Sequence, residues 1–461
     1  MAMGKRPVAR QASPLWVATA DLPTSDGHPF FERLNRVLAD CGFDAFVEGL
    51  CSAFYAARLG RPSLRPGRYF RMLLIGYFEG LSSERGIAWR VADSLSLRSF
   101  LDLELTESAP DHSTLSRTRR LIDVETHEAV FTWVLERLAE AGLVVGKTVG
   151  IDATTLEANA AMRSIERRDT GEPYDDFIRR LAEASGVETP TRAELARFDR
   201  SRKNRKTSNK EWQSPQDPDA KIAKMKDGRT HLAHKAEHGV DMDTGAIVSV
   251  TVQAASDGDT ATLPETAIMA AEQVEAVLPE GAGVEEMVAD KGYHSDETLV
   301  GLREVGVRSH VSEPERGRRC WKDKKTGETP PAKRAAQRAL YANRRRVRGR
   351  RGRRLQRRRG EMVERTFAHM YETGGLRRVW VRGHENVLKR VLIQAAACNI
   401  GPLLRRQTGI GTPRSLQGRA LSAICRLIGR LIDRWARLKR VWEFKWTPTA
   451  LVGSFTHRQA A

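Results

Sequence analysis

Cysteine is scarce in this sequence, with five in 461 residues. The cysteines lie at scattered positions and form no Cys-x-x-Cys pair: Cys41, Cys51, Cys320, Cys398 and Cys425. An odd and scattered set of this kind argues against both a disulfide framework and a zinc ribbon. We therefore expect a protein of a reducing compartment, held together by packed cores.

Long apolar runs are also missing. The first residues, MAMGKRPVARQASPLW, contain no apolar stretch of the signal-peptide type, and we find no run long enough to cross a bilayer. The sequence thus predicts a soluble, cytoplasmic protein.

Acidic residues are outnumbered, with 58 Asp and Glu against 77 Lys and Arg and a formal net charge of +19. Such a surplus favours a polyanionic partner, and nucleic acid is the commonest one. The basic residues also cluster, because residues 344–359, RRRVRGRRGRRLQRRR, contain no acid. Repulsion within this block predicts a segment that folds loosely unless phosphates neutralise it.

The length predicts more than one hydrophobic core, and three regions differ in composition and in their secondary-structure patterns. We expect an all-helical N-terminal DNA-binding domain over residues 1–142, an α/β domain over 143–405 and a basic helical tail over 406–461. Within the middle region, about 163–229 look like a polar insert with one capped helix, and about 314–360 form an arginine-rich segment. The tail carries an amphipathic helix, ALSAICRLIGRLIDRWARLKRVW, of the docking or dimerising type.

A basic helix closes the predicted N-terminal domain. Asp111, Ser113 or Thr114 can cap a helix that carries Arg117, Arg119 and Arg120 on its exposed side. Such a helix can enter a DNA groove, and a solvated surface is an equal alternative.

Strand and helix patterns alternate in the middle region. A strand near residue 150 is followed by a hairpin around MDTG, a helix over 261–278, the strand VEEMVAD, a helix capped by Ser295 and the strand GVRSHV. This order predicts a mixed α/β sheet with flanking helices.

Three acids stand in settings that are unusual for a carboxylate. Asp152 lies within the first strand, Asp290 ends the strand VEEMVAD, and Glu364 borders the apolar face of a later helix. A carboxylate against a core is costly unless a cation or hydrogen bonds compensate it. Mg²⁺ prefers oxygen ligands, and two such ions can activate an attacking oxygen and stabilise a leaving one. The acids therefore predict a metal site for phosphodiester chemistry.

Four segments carry a family resemblance: PDHSTLSRTRRL, GIDATTLEANA, MVADKGYHSDETL and MVERTFAHMYETGGLRRVWVRGHENVLKR. Together they resemble bacterial insertion-sequence transposases with an RNase H-like domain and an Asp-Asp-Glu triad. The resemblance implies that Asp152, Asp290 and Glu364 are the catalytic metal ligands, with Glu361 as an alternative third acid. It also implies Mg²⁺, or Mn²⁺ in its place, nicking by water at element ends and attack of the 3′-hydroxyl on target DNA. A homodimer that pairs two ends at the bacterial nucleoid is the expected assembly.

Basic and aromatic residues near the acids are candidates for DNA contacts. Lys291 and His294 could neutralise a phosphate and Tyr293 could pack on a sugar or base, the alternative being a turn with a buried ring. Further candidates, besides Arg117 and Arg120, are Arg365, Arg377, Arg378, Arg382 and Lys389. We expect Trp380 to be a core residue. The alternative function is a DNA-binding protein derived from such an element that has lost catalysis.

Overall fold

The computed structural model describes residues 27–56, 63–187, 190–203, 207–225, 227–315 and 328–416, with positions 16, 18, 317 and 319–322 besides. The amphipathic helix predicted at 420–442 lies outside these residues.

The first part of the chain is helical, as predicted. Its helices are α1 (Pro29–Asp40), α2 (Phe43–Cys51), α3 (Pro66–Phe78), α4 (Glu84–Ala92), α5 (Leu95–Phe100), α6 (His112–Leu121) and α7 (Val124–Glu140). Local capping explains where several begin, since Ser83, Asp111 and Asp123 each accept a hydrogen bond from a backbone N–H in the first turn. Helix α3 is apolar nearly all round and is buried along its whole length.

The predicted exposed face of α6 needs one correction. Arg117 and Arg120 are exposed, but Arg119 is buried. Its guanidinium pairs with Glu84 and donates to Asn386 Oδ1 at 3.1 Å. The acid and amide that bind it are distant in sequence, which is why helix periodicity alone did not place it.

Strands of both directions form the main sheet. The strands of the chain are β1 (Thr148–Glu157), β2 (Glu166–Arg167), β3 (Trp212–Gln213), β4 (Lys221–Lys224), β5 (Thr230–Asp241), β6 (Ile247–Ala254), β7 (Glu286–Ala289) and β8 (Arg308–Val311). Strand β5 pairs antiparallel with β1, β4 and β6, whereas β7 pairs parallel with β1 and β8. The order β6, β5, β1, β7, β8 confirms the predicted RNase H-like mixed sheet.

Helices cover both faces of this sheet. The later helices are α8 (Tyr174–Ala184), α9 (Arg192–Ser201), α10 (Asp259–Val277), α11 (Asp296–Glu304), α12 (Pro331–Arg348), α13 (Arg350–Phe367) and α14 (His384–Thr408), with a π-helical segment at Ala368–Thr373. On β5, Glu237 is bonded by Thr262 and Thr266 of α10, whereas the next residue, His238, contacts Thr366 at the end of α13. Successive strand residues point to opposite faces, so α10 and α13 lie on opposite sides. Asp152 pairs with His238 across the strands and shares the α13 face.

Helix α14 joins the sheet to the N-terminal helices. It packs on α3, α7 and β6, and Asn399 bonds both the N–H and the carbonyl of Ile247. Among the described residues it is the one helix long and apolar enough to cross a membrane, and 83% of its apolar window is buried inside the protein. That burial is typical of a core helix. One apolar core runs from α1 through the sheet, and the domain boundary at 142 stays a prediction.

The arginine-rich segment is helical, and the expectation of a loosely folded block was wrong. Helices α12 and α13 run through it with a single break at Gly349. Arginines that face the protein find acceptors on it: Arg344 bonds Glu313, Arg346 donates to the Ser309 carbonyl at 2.8 Å, and Arg351 pairs with Glu286. These partners relieve the repulsion without any phosphate.

The insert after β1 has more structure than one helix and a loop. Strands β2 and β3 pair, helices α8 and α9 pack on each other, and Thr191 and Glu194 form the predicted capping box. A small apolar cluster that includes Ile165 and Trp212 lies beneath them. The segment therefore has a core of its own.

Two buried histidines predict acid sensitivity. Burial lowers the pKa of His127 to about 4 and that of His238 to about 3. Between pH 6.5 and about 4 the unfolded chain takes up protons at these rings while the folded chain does not, so stability present above pH 6.5 is lost as the pH falls. Each ring adds about 1.4 kcal/mol per pH unit to that slope.

The measurement is urea unfolding at several pH values between 7 and 4.5. The double variant His127→Gln/His238→Gln should show a slope smaller by about 2.7 kcal/mol per pH unit, whatever its stability at pH 7. An unchanged slope would show that these rings are not neutral in the folded protein.

Candidate active site

Two of the three predicted acids lie at neighbouring positions on parallel strands. Gly150 of β1 pairs with Val288 of β7, and the same register continued by two residues places Asp152 beside Asp290, which directly follows the end of β7. Adjacent strands are about 4.8 Å apart, and both residues have the same parity and so face the same side. The charge of Asp290 contributes to raising the pKa of Asp152, as expected for carboxylates that lie close together.

The backbone after β7 fixes Asp290. The strand ends at Ala289, and Asp290 caps a 3₁₀ turn over Lys291–Tyr293, with its Oδ1 accepting from the Gly292 N–H at 2.7 Å. A Cβ at Gly292 would stand 2.3 Å from Asp259 Oδ2, so no larger residue fits without a shift. This explains why a buried strand ends on an acid: the carboxylate is the cap of the turn that follows.

Tyr293, the last residue of the same turn, fixes the turn to the protein core. Its ring is fully buried, and its hydroxyl donates to Glu237 Oε1 at 2.7 Å. Burial raises the pKa of Glu237, although hydrogen bonds from Thr266 and Tyr293 and the charge of Lys235 oppose the rise. Lys235 also pairs with Asp259 at 2.7 Å. The network ties β5, α10 and the Asp290 turn together.

Asp152 is held by an arginine of α13. Arg359 Nη1 lies 2.5 Å from Asp152 Oδ2, while Asp152 Oδ1 accepts from the Ala153 N–H at 2.9 Å. The carboxylate is one-quarter exposed. Burial raises its pKa, Arg359 opposes the rise, and Asp290 adds to it. A cation is thus already required at this carboxylate, and a guanidinium supplies it here.

Helix α13 approaches β1 closely at this point. A Cβ at Gly150 would stand 2.5 Å from Met242 Sδ and 3.2 Å from Arg359 Cγ, so glycine permits the contact. Arg359 Nε is buried and has no acceptor among the described residues. An orphaned donor of this kind indicates that the guanidinium is imperfectly satisfied beside Asp152.

The third predicted acid, Glu364, does not lie beside the other two. Glu364 is exposed on α13 and makes no ion pair or side-chain hydrogen bond with any described residue. At about 100° per residue, Glu364 lies about 140° around the helix from Arg359, and Glu361 lies about 200° around. Glu361 is bound to Arg365 at 2.6 Å. Neither acid lies on the face of Arg359, so the choice between Glu364 and Glu361 as the third acid stays open and the role of Glu364 stays a prediction.

The aspartate pair fits a hard divalent ion by its donor set. Two carboxylates with one surface open to solvent are typical of Mg²⁺ sites, which keep water and substrate oxygens as further ligands. Within the part of the chain that the structure describes, no group of three His, Cys, Asp or Glu side chains is arranged around one ion. Asp152 and Asp290 would supply two of the ligands of such a site.

Several predicted DNA contacts are exposed near this site. Lys291 is exposed directly after Asp290, and Arg365 is exposed beside Glu364. The segment after the π-helical turn runs along the end of β1, where Glu157 exchanges backbone hydrogen bonds with Arg377 and Val379. Arg377 pairs with Glu372, Arg378 lies 3.5 Å from Glu157 Oε1, and Arg382 donates to the Asn159 carbonyl at 3.3 Å.

Other expectations about this surface were wrong. Tyr293, His294 and Lys389 are buried, so none of them faces DNA in this structure, and for Tyr293 the alternative of a buried ring holds. Lys389 pairs with Glu385. Trp380 is not a core residue, because 46% of it is exposed and Arg378 stacks on its ring at 4.8 Å. An exposed tryptophan beside arginines can stack on a base.

Sequence reasoning missed two site residues. Arg359 was not predicted as a site residue, yet it shares a helix face with Leu355 and Val363, and an arginine in an apolar stripe signals a buried acid partner. Glu237 was not singled out, and nothing local in the strand THLAHKAEHGVD identifies Tyr293 as its partner.

Tyr293→Phe should destabilise the protein by about 1.5–3 kcal/mol, because a buried carboxylate loses a charged hydrogen bond. It should also weaken Mn²⁺ binding by about tenfold or more, since the turn that carries Asp290 loses its anchor. Urea unfolding and Mn²⁺ titration measure the two effects.

Tyr174→Phe is the matched control, because Tyr174 also donates to a carboxylate, Asp199 at 3.0 Å, but within the insert. It should leave Mn²⁺ affinity unchanged. Equal Mn²⁺ affinity in both variants would rule out the positioning role of Tyr293.

Two family models match the chain. One, described as Transposase domain (DUF772), matches residues 20–121, and the other, Transposase DDE domain, matches residues 313–404. The second match contains Arg359 and Glu364, and the two aspartates precede it. No curated protein matches the chain. With the mixed sheet between the two matches, these findings support an insertion-sequence transposase of the DDE type.

Proposed function

We propose that this transposase cuts DNA at the ends of its element with the help of Mg²⁺ and joins the freed 3′-hydroxyl to target DNA. The observation that carries the proposal is the parallel pairing that brings Asp152, in the middle of β1, close to Asp290, which directly follows β7, on the sheet face covered by the helix that bears Glu364. The family match supports DNA as the substrate.

Asp152 and Asp290 would hold the ion, and Glu364 would join them after α13 turns or shifts on its contact with β1. When bound, divalent ions supply charge stabilisation for in-line displacement at phosphorus. Arg359 must then leave Asp152, and a DNA phosphate is a natural new acceptor for its guanidinium.

The surrounding residues of the chain orient the DNA. Lys291, exposed beside Asp290, would neutralise a phosphate next to the cleaved bond. Arg378 and Arg382 would hold the backbone along the end of β1, with Trp380 available to stack on an unpaired base. Arg117 and Arg120 of α6 would contact the more distant duplex. Pairing two ends in one complex requires at least two copies of the chain, acting at the nucleoid.

The test is cleavage of duplex DNA that carries the element's end, by the wild-type protein with Mg²⁺ or with a chelator. The proposal expects Mg²⁺-dependent nicks at the end and, with added target DNA, joined products. Binding without any nick by the wild type would contradict it and favour the catalytically inactive DNA-binding protein.

A further inference from the structure

The insert is not needed to build the sheet. Strands β1 and β5 are antiparallel neighbours, with Glu157 opposite Ala233, and a short turn would suffice to connect them. Instead, residues 158–229 form a unit with its own apolar cluster. Long connections of this kind within a compact domain are usually functional.

A cleft in the insert is lined mainly by cations. It has a volume of about 1160 Å³ and lies between α8, α9 and the turn at Gly228–Thr230. Its charged lining residues are six basic ones, Arg163, Arg179, Arg192, Arg200, Lys203 and Arg229, and two acidic ones, Asp175 and Asp199. The excess of positive charge predicts a polyanion as the occupant.

Most cations of the cleft lack an acidic partner among the described residues. Elsewhere in the insert, Arg167 pairs with Asp169, Arg180 with Glu172 and Arg202 with Asp199. Of the six that line the cleft, Arg179 pairs with Asp176, and the other five make no ion pair with any described residue. Five cations without an acidic partner among the described residues therefore line the cleft.

The cationic surface continues beyond this cleft. A second cavity of about 900 Å³ shares Thr207 and Thr230 with it and is lined by Arg168, Lys210 and Lys221. A surface of this length matches an extended polyanion better than a single small anion.

The cleft lies in line with the candidate active site. Thr230 precedes His238, the partner of Asp152, by eight residues on β5, which is about 26 Å at 3.3 Å per residue. Arg382 lies at the insert end of β1, since its guanidinium donates to the Asn159 carbonyl at 3.3 Å and to Gln216 Oε1 at 3.2 Å. The span corresponds to about eight base pairs of duplex.

We propose that this cleft binds the sugar-phosphate backbone of duplex DNA about eight base pairs from the cleaved bond. The inference rests on the proposed function only in that DNA must also reach the aspartates. Contacts of this type fix the position of the duplex and carry no base specificity.

The test compares two triple variants of equal charge. Arg192→Gln/Arg200→Gln/Lys203→Gln removes cations of the cleft. Arg180→Gln/Arg197→Gln/Lys224→Gln removes three cations of the insert that do not line it. Anisotropy of a labelled 30-base-pair duplex of arbitrary sequence, titrated at several salt concentrations, gives the slope of log affinity against log salt.

The cleft variant should lower the magnitude of this slope by about 2.7, which is about 0.9 for each lost phosphate contact, and the control should leave it near the wild-type value. Equal slopes in the two triple variants would overturn the proposal. If the cleft triple variant does not fold, the single variants Arg192→Gln and Lys203→Gln take its place. Each should lower the magnitude of the slope of log affinity against log salt by about 0.9.

Nicking of end-containing DNA by the wild type separates this inference from the proposed function. A protein that never nicks but shows the cleft-dependent slope would refute the catalytic proposal and support the cleft. A protein that nicks, and whose two triple variants show equal slopes, would support the catalytic proposal and refute the cleft.

Discussion

Asp290→Asn should abolish Mg²⁺-dependent cleavage while DNA affinity stays within about twofold of wild type. Asparagine keeps the oxygen that accepts from the Gly292 N–H, so the turn is retained and only the negative charge is lost. Charge stabilisation by a bound metal contributes several kcal/mol, and about 4 kcal/mol corresponds to a thousandfold in rate. We therefore expect a loss of about a thousandfold or more, measured as single-turnover nicking.

Asp296→Asn is the control for that experiment, because Asp296 lies six residues later in the first turn of α11 and pairs with Arg319. It should nick at the wild-type rate. A second pair on α13 tests the third acid, with Glu364→Gln expected to lose nicking and Glu361→Gln to keep it. Nicking by Asp290→Asn at the wild-type rate would exclude Asp290 from the site.

Arg359→Gln should have opposite effects with and without metal. Without metal, Asp152 loses the cation that compensates its burial, and we expect a loss of about 2–4 kcal/mol in the free energy of unfolding. With Mn²⁺ the ion no longer competes with a guanidinium, so its affinity should rise by about tenfold or more. Urea unfolding in chelator and in saturating Mn²⁺, together with a Mn²⁺ titration, measures both effects.

Arg357→Gln is the matched control, because Arg357 is exposed on α13 two residues earlier. It should change neither quantity beyond about 0.5 kcal/mol. If Arg359→Gln bound Mn²⁺ no more tightly than Arg357→Gln, the guanidinium and the ion would occupy different places.

Local signals in the sequence predicted much of this fold. The caps at Asp111, Thr191 and Ser295 formed as expected, because a side chain that bonds a backbone N–H three residues away depends on nothing distant. The strands around Asp152 and Asp290 were also predicted, since Asp152 lies within an alternating apolar pattern and Asp290 ends an apolar run. Their side-by-side placement followed once the strands paired in parallel.

Contacts between distant parts of the chain were not predictable in the same way. The arginine-rich block is helical because its acceptors come from β7, β1 and the residues after β8, up to 207 positions away for Arg359 and Asp152. Burial of Arg119 beside Glu84 and of Lys389 beneath α6 depends on how helices dock. A pattern along one helix shows which face is apolar, but it does not show which polar side chain of the facing element will be a partner.

Glu364 illustrates the remaining gap. The resemblance assigns it to the triad, yet in the structure its helix presents Arg359 to Asp152 and turns Glu364 outward. Both observations are explained if α13 moves when DNA and metal bind, so that Glu364 replaces Arg359 beside Asp152. Glu364 itself has no partner to lose in such a shift, whereas Leu355, Val363 and Phe367 of the same helix are buried, so a turn of α13 must repack them.

Anomalous diffraction at the manganese edge, from crystals of the protein grown with Mn²⁺, tests the central claim most directly. The account predicts a peak between the carboxylates of Asp152 and Asp290, with Arg359 displaced, and no such peak in crystals of Asp290→Asn. A peak elsewhere, or Arg359 still bound to Asp152 at saturating Mn²⁺, would contradict it.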